Sequence, residues 1–161
     1  MSILLYRIDD RLIHGQVVVG WGQPLGVRFI VLVDNEVAAS EWERELYRMA
    51  VPPEVELYFN SVSEALVALP GYRADPRPGI LVTGTIGAMR HLVDAGGVAQ
   101  VNVGGLHFRA GRAQRLRYVF LTTDEEQELL EIQQGGAIVT AQDVPGARPV
   151  PLPSVLAGVE S

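Results

Sequence analysis

The sequence predicts an α/β fold, an open and mostly parallel sheet with helices on both faces and an active loop after the first strand. Three observations support this prediction. Short apolar runs alternate with helical patterns along all 161 residues. The apolar runs are nearly continuous, as in strands whose two faces are both covered. Polar residues follow the strands at the positions where each one ends.

The N-terminal third begins with a predicted strand at Ile3–Ile8. A polar loop over residues 9–15 separates it from a helix that starts near Gln16 and ends by Gly26. The next strand, Arg28–Asp34, is rich in β-branched and aromatic residues, which favour strands.

A single helix is then expected from about Glu36 to Ala50, where Pro52 and Pro53 end the pattern. Apolar residues recur at helical spacing on one face of this segment. They are Ala38, Trp42, Leu46 and Met49.

The middle of the chain continues the alternation with a strand at Val55–Asn60. Ser61 and Glu64 then fit a capping box that opens another helix. Residues 70–79 contain three prolines and two glycines, so a loop is expected there. A short buried strand follows at Ile80–Thr83.

The C-terminal half has the same pattern, with a helix to about Ala95 that Gly96 and Gly97 end. A second capping box is predicted at Thr123–Glu126. The remaining predicted elements are strands at Val98–Val103, Leu116–Leu121 and Ala137–Ala141, a helix to about Gln134, and an irregular tail from Val144 with one turn at Val155–Val159.

Length and composition restrict the classes of function. The length suits a single domain over residues 1–161, and no signal peptide or membrane span is expected. The net charge of −6 argues against general nucleic-acid binding. The absence of cysteine excludes thiolate metal sites and cysteine nucleophiles. All 13 cationic side chains are arginine, which excludes a Walker P-loop and Schiff-base chemistry.

The loop after the first strand carries the strongest candidate site. In an open parallel sheet the carboxyl ends of the strands lie along one edge, where ligands bind. His14 lies in this loop, and a neutral imidazole is a good nucleophile near neutral pH. A carboxylate that accepts its other N–H would fix the tautomer. Asp10 is the candidate, and Asp9 is less favoured because neighbours on an extended segment point in opposite directions.

Arg11 is the candidate phosphate clamp, since a guanidinium grips phosphate oxygens in a fork. The backbone N–H groups of Gly15, Gln16 and Val17 would be donors at the start of a helix. Together these groups suit a phosphoryl group of about −1.5 to −2 charge. The alternative is a surface ion pair between Arg11 and Asp9, with no function.

Other polar residues have open alternatives. Thr83 and Thr85 are candidate phosphate donors, although Thr85 equally suits a helix cap. His107 suits a structural role better than a substrate contact, and His91 suits the surface. Trp21 suits the core or, with Pro24 and Leu25, an apolar docking rim. A basic cluster suits a solvated turn better than a partner contact; it comprises Arg109, Arg112, Arg115 and Arg117.

The block from Arg7 to Val17, with Trp21 after it, resembles the IIB component of the mannose/fructose/sorbose family of the bacterial sugar phosphotransferase system (PTS). A second block, Val101–Gly111, is similar to that family's Asn-Val-Gly-Gly segment. Two shorter stretches, Asp34–Ala39 and Val51–Val55, are similar as well. The matches extend over most of the chain.

The resemblance implies a phosphocarrier enzyme without a metal or other cofactor. His14 would accept a phosphoryl group on Nδ1 from a phosphorylated IIA protein, with Arg11 and Asp10 in the active loop. The group would pass to a small sugar brought in by the membrane components IIC and IID. The protein would be cytoplasmic and peripheral at the inner face of the membrane.

Two alternatives belong to other classes of function. A regulatory phosphohistidine module would use the same loop to signal to a partner without sugar transport. An α/β nucleotide-binding protein is disfavoured, because no Gly-x-Gly-x-x-Gly turn follows the first strand. The resemblance implies that the membrane components choose the sugar, and the sequence is compatible with a homodimer.

Overall fold

A seven-stranded sheet forms the centre of the fold. The computed structural model describes residues 2–159. The strands are β1 (Ile3–Ile8), β2 (Phe29–Val33), β3 (Glu56–Asn60), β4 (Gly79–Thr83), β5 (Gln100–Val103), β6 (Ala113–Leu116), β7 (Val119–Leu121), β8 (Ile138–Ala141) and β9 (Val150–Pro151). The order in the seven-stranded sheet is β3-β2-β4-β1-β5-β8-β9, and every pairing in it is parallel except that of β9 with β8.

Helices cover both faces of the sheet, which confirms the predicted fold class. The helical segments are a π-helix (Gln16–Gly22), α1 (Gln23–Leu25), α2 (Asn35–Ala39), α3 (Glu41–Met49), α4 (Val62–Ala74), α5 (Ile86–Asp94), α6 (Thr123–Gln134) and α7 (Leu152–Leu156). One core contains the buried sides of α4, α5, α6 and α7, and the other contains Leu12, Ile13, Val18 and Trp21.

The prediction of one helix from Glu36 to Ala50 is wrong, because the helix is interrupted at Ser40, between α2 and α3. Ser40 is extended, and its hydroxyl accepts from the backbone of Glu43 at 3.2 Å as the N-cap of α3. The apolar side chains predicted to share one face are largely exposed on α3, with Trp42 at 65% and Met49 at 81%.

Helix α4 continues through Pro70 to Ala74, where a loop was expected. Its last turn is held against the sheet by Tyr72, whose hydroxyl donates to Asn60 Oδ1 at 2.7 Å. The Tyr72 ring also stacks with that of Phe29, with centroids 6.3 Å apart. This packing compensates for the hydrogen bond that a proline removes from a helix.

The strand predicted at Leu116–Leu121 is instead the antiparallel hairpin β6–β7. The capping box after it begins at Thr122, one residue earlier than predicted. The Thr122 hydroxyl accepts from Glu125 N at 3.0 Å, and the Glu125 carboxylate accepts from Thr122 N at 2.9 Å. The tail is more regular than expected, since it adds β9 and α7.

Strand β1 lies between β4 and β5, so the loop that follows it contacts both neighbours. Asp9 N donates to the Thr83 carbonyl at 2.9 Å, and Asp10 N donates to the Gly105 carbonyl at 2.9 Å. The start of the active loop is therefore held from two sides at the carboxyl edge of the sheet.

Candidate functional site

His14 pairs with Asp9 and not with Asp10, which corrects the sequence-based assignment. The Nε2 atom of His14 lies 3.1 Å from Asp9 Oδ2. The Asp9 side chain is completely buried, while that of His14 is 16% exposed. The site therefore consists of a buried carboxylate that holds one nitrogen of a partly accessible imidazole.

A tight turn brings His14 back over Asp9. Leu12 N donates to the Asp9 carbonyl at 2.9 Å, and Arg11 N donates to Asp9 Oδ1 at 3.1 Å. Leu12 has a φ of +59°, an uncommon conformation for a residue other than glycine. This turn places His14 beside Asp9, while the Asp10 carboxylate binds His107.

Arg7 supplies the cation that compensates the buried charge of Asp9. It is fully buried, and its guanidinium lies over the Trp21 ring, 5.0 Å from the centroid. The acceptors of its two terminal nitrogens are Asp9 Oδ2 at 3.3 Å, the carbonyl oxygens of Gln142 at 3.0 Å and Asp143 at 3.2 Å, and Asn102 Oδ1.

This environment keeps Asp9 ionised. Burial alone would raise the pKa of Asp9, but the hydrogen bonds from His14 and from the backbone of Arg11 outweigh it. The electrostatic interactions with His14 and Arg7 act in the same direction, so the pKa of Asp9 is lowered overall. An ionised Asp9 accepts the Nε2–H of His14 and fixes that tautomer.

The Asn-Val-Gly-Gly segment completes this environment from β5. Asn102 accepts from Arg7, and Gly105 N donates to Asp9 Oδ2 at 3.3 Å. A Cβ atom at Gly104 would overlap the Arg7 guanidinium, so only glycine fits there. The Asn-Val-Gly-Gly segment thus leaves space for the Arg7 guanidinium and provides hydrogen bonds to Arg7 and Asp9.

Arg11 extends from the same turn toward solvent. Its side chain is 44% exposed, and its Nε lies 3.6 Å from Asp9 Oδ1. The guanidinium is thus near the Asp9–His14 pair without being buried by it. This position is suitable for a group that contacts a phosphoryl group on His14.

Asp10 holds His107 and Arg112 instead of His14. Its Oδ1 lies 2.6 Å from His107 Nδ1, and its Oδ2 lies 3.5 Å from Arg112 Nη1. Arg112, expected in a solvated turn, is only 5% exposed and binds the Glu125 carboxylate with both Nε and Nη2. The active loop is thereby tied to α6.

The two candidate threonines, Thr83 at the end of β4 and Thr85 after it, both bind backbone groups. Thr83 is fully buried and its hydroxyl donates to the Thr85 carbonyl at 2.9 Å, so it is not placed to bind phosphate. The Thr85 hydroxyl accepts from Ala88 N at 3.1 Å, which is the helix-cap alternative. Gly15, Gln16 and Val17 lie at the start of the π-helix, directly after His14.

The remaining candidates are mostly structural. Trp21 is buried at 7% exposure, which leaves only Pro24 and Leu25 of the predicted docking rim at the surface. His91 is exposed on α5, as expected. The other arginines of the basic cluster are Arg115, paired with Glu126, Arg117, paired with Asp143, and the exposed Arg109.

Sequence reasoning missed Arg7, Asn102 and Gly105. One signal was available for Arg7, because residues i and i+2 of a strand share a face and Arg7 and Asp9 have this spacing. An arginine inside an apolar strand needs a buried partner, and Asp9 is the nearest one on that face.

Neither a metal site nor a membrane span is evident in the part of the chain that the structure describes. Within residues 2–159, no three His, Cys, Asp or Glu side chains come together as metal ligands. None of the helices in that range is long and apolar enough to cross a membrane.

Asp9→Asn is expected to slow phosphoryl transfer to His14 by roughly 10²–10⁴-fold. An amide does not enforce the Nε2–H tautomer as a carboxylate does, and the charge beside the imidazole is lost. The rate of labelling by a radioactive phosphoryl donor measures this effect. Asp10→Asn keeps the Asp9–His14 hydrogen bond and is expected to be labelled far faster than Asp9→Asn. The opposite ranking of the two variants would restore Asp10 as the partner of His14.

Comparison with known proteins identifies similar chains over the full length. The family described as PTS system sorbose subfamily IIB component matches residues 3–160. The N-acetylgalactosamine-specific phosphotransferase enzyme IIB component 1 of Escherichia coli is 33% identical over 156 residues, which cover 94% of this chain and 97% of that protein. The mannose-specific EIIAB component of E. coli is 39% identical over 71% of this chain and 36% of the longer relative.

Among solved structures, the IIBSor domain of the sorbose permease from Klebsiella pneumoniae is similar with a TM-score of 0.89. It is 27% identical and the match covers 99% of each chain. The N-acetylgalactosamine-specific IIB component 1 from E. coli has a TM-score of 0.85 at 32% identity, with 92% of this chain and 97% of that one covered.

Proposed function

Because the chain belongs to the sorbose subfamily of IIB components of the bacterial phosphotransferase system, we propose that it carries a phosphoryl group from phospho-IIA to a sugar on His14. The His14–Asp9 pair at the carboxyl edge of the sheet supports this proposal best. It combines an accessible nucleophile with a buried carboxylate that fixes its tautomer.

The phosphoryl group is accepted by Nδ1 of His14, because Nε2 is the nitrogen that faces Asp9. The electron pair of Nδ1 attacks phosphorus while the Nε2–H remains hydrogen-bonded to the carboxylate. Asp9 thus stabilises the positive charge that develops on the ring. The lowered pKa of Asp9 keeps this carboxylate ionised throughout.

Arg11 binds the oxygens of the phosphoryl group. Its half-exposed guanidinium lies 3.6 Å from Asp9, the carboxylate that also holds the imidazole of His14. The backbone N–H groups of Gly15, Gln16 and Val17, at the first turn after His14, add donors. These groups together offset the charge of about −2 that phosphorylation brings.

The partners follow from the family. IIB components work with IIA and with IIC and IID, and one relative is an EIIAB component. We infer a cytoplasmic protein, one IIB domain over residues 1–161, that associates with the inner face of the membrane through IIC and IID. A homodimer is compatible with this arrangement.

A two-step phosphotransfer assay tests the proposal. Purified protein is incubated with radioactively phosphorylated IIA, and then with membrane vesicles that contain IIC and IID. Candidate sugars are mannose, fructose, sorbose and N-acetylgalactosamine, which the names of the relatives suggest. We expect an acid-labile label on the protein that moves to one sugar. A label that none of the four sugars removes would instead support the signalling alternative.

Arg11→Ala is expected to fold normally and to slow phosphoryl transfer by about 10³-fold or more, as is typical of arginines that stabilise a transferred phosphoryl group. Its free energy of unfolding should change by less than about 1 kcal/mol, because the side chain is half exposed. Labelling kinetics and urea unfolding measure the two effects. Labelling at the wild-type rate would exclude Arg11 from the site.

A further inference from the structure

A second histidine, His107, is held beside the active loop by Asp10. Asp10 Oδ1 lies 2.6 Å from His107 Nδ1, and the His107 backbone N–H donates to Asp10 Oδ2 at 2.7 Å. The Asp10 side chain is 6% exposed, whereas that of His107 is 49% exposed. A buried carboxylate therefore fixes one ring nitrogen, and the other nitrogen, Nε2, faces away from it.

Arg112 contacts both members of the Asp10–His107 pair and holds them in place. The nearly buried Arg112 donates to the His107 carbonyl at 2.7 Å and lies 3.5 Å from Asp10 Oδ2. The same guanidinium binds Glu125, whose carboxylate also caps α6. The orientation of the His107 ring is thus set by a network that extends into a helix.

His107 converges with the groups of the phosphoryl site at Gly105. A Cβ atom added to Gly105 would lie 2.9 Å from His107 Cε1, 3.4 Å from Arg11 Nη2 and 3.5 Å from Asp9 Oδ1. The imidazole, the clamp arginine and the carboxylate that holds His14 therefore surround one small volume. His107 thus lies close to the clamp arginine and to the carboxylate that holds His14.

We propose that His107 is the general base for transfer of the phosphoryl group to the sugar, an inference that depends on the proposed function of His14. A bond forms between the sugar oxygen and phosphorus, while the Nδ1–P bond of His14 breaks and its electron pair returns to Nδ1. The hydroxyl proton passes to Nε2 of His107. Asp10 accepts the Nδ1–H of His107 and stabilises the imidazolium that forms.

The two transfer steps differ in their need for this base. In the transfer from phospho-IIA the acceptor is the electron pair of His14 Nδ1, so no hydroxyl proton is removed. Transfer to the sugar must remove one. A general base is therefore required for the second step, whereas a structural defect in the loop would slow both.

The test measures both steps on the same preparations of the wild type, His107→Gln and Asp10→Asn. Each protein is labelled by radioactive phospho-IIA, and the label is then discharged by vesicles with IIC and IID and each of the four sugars. We expect the ratio of the sugar-step rate to the labelling rate to fall by roughly 10²–10⁴-fold in His107→Gln. Asp10→Asn should lower it in the same direction, and His91→Gln, on the surface of α5, should keep it.

The outcomes separate the two proposals. An unchanged ratio in His107→Gln, or equal slowing of both steps, would overturn the role of His107 and leave that of His14 intact. Failure of the wild type to be labelled at all would overturn the proposed function itself. Circular dichroism verifies folding, and Asp10→Asn still tests the pair if His107→Gln does not fold.

Discussion

His14→Ala is expected to abolish labelling by phospho-IIA completely. The side chain provides the only imidazole held by the buried Asp9, and alanine offers no nucleophile at that position. Scintillation counting of the isolated protein measures the loss. The fold should survive, because Asp9 keeps its hydrogen bonds to Arg7 and to Gly105 N.

His91→Ala is the matched control for this variant, since His91 is exposed on α5. It should be labelled at the wild-type rate, and the label should be lost in acid as an N-phosphoryl bond requires. Persistent labelling of His14→Ala would mean that another side chain accepts the group. The proposed function would then lose its central residue.

Arg7→Met is expected to lower the free energy of unfolding by about 3–5 kcal/mol. The substitution removes the cation from a fully buried ion pair and leaves the half-exposed Arg11 as the arginine beside the Asp9 carboxylate. Asn102 and the Gln142 carbonyl also lose their donor. Urea unfolding near pH 7 measures the effect.

The control for Arg7→Met is Arg148→Met, the same change at an exposed position. It should alter stability by less than about 0.5 kcal/mol. The double variant Arg7→Met/Asp9→Asn should recover part of the loss, because an amide costs less to bury than an unpaired carboxylate. If the losses of the two single variants simply added in the double variant, the ion pair would contribute little to stability. A loss below about 1 kcal/mol in Arg7→Met would show the same.

Much of the fold was predictable because it depends on local pattern. Strand β1 was predicted with its observed bounds, and the Ser61–Glu64 capping box and the glycine stop after α5 are present as expected. The two wrong predictions, at Ser40 and Pro70, depend on individual side-chain contacts. Ser40 caps a second helix by one hydroxyl, and Pro70 is tolerated because Tyr72 packs on the sheet.

The position of the candidate site was predictable for the same reason. The order of strand, polar loop and helix places His14 and Arg11 at the carboxyl edge of a parallel sheet without any knowledge of long-range contacts. The choice between Asp9 and Asp10 was not predictable from strand geometry. It depends on the turn at Leu12, whose positive φ no local rule anticipates for leucine.

Short-range sequence pattern was sufficient for the fold class and for the loop that carries His14, because hydrophobic period and strand-end polarity are local properties. Only the tertiary structure identified the distant residues that bind the side chains of this loop and of the strand before it. Arg7 binds Asn102 and Asp10 binds His107 across 95 and 97 residues. These contacts exist because β5 pairs beside β1, and the period of neither strand encodes which strand will be its neighbour.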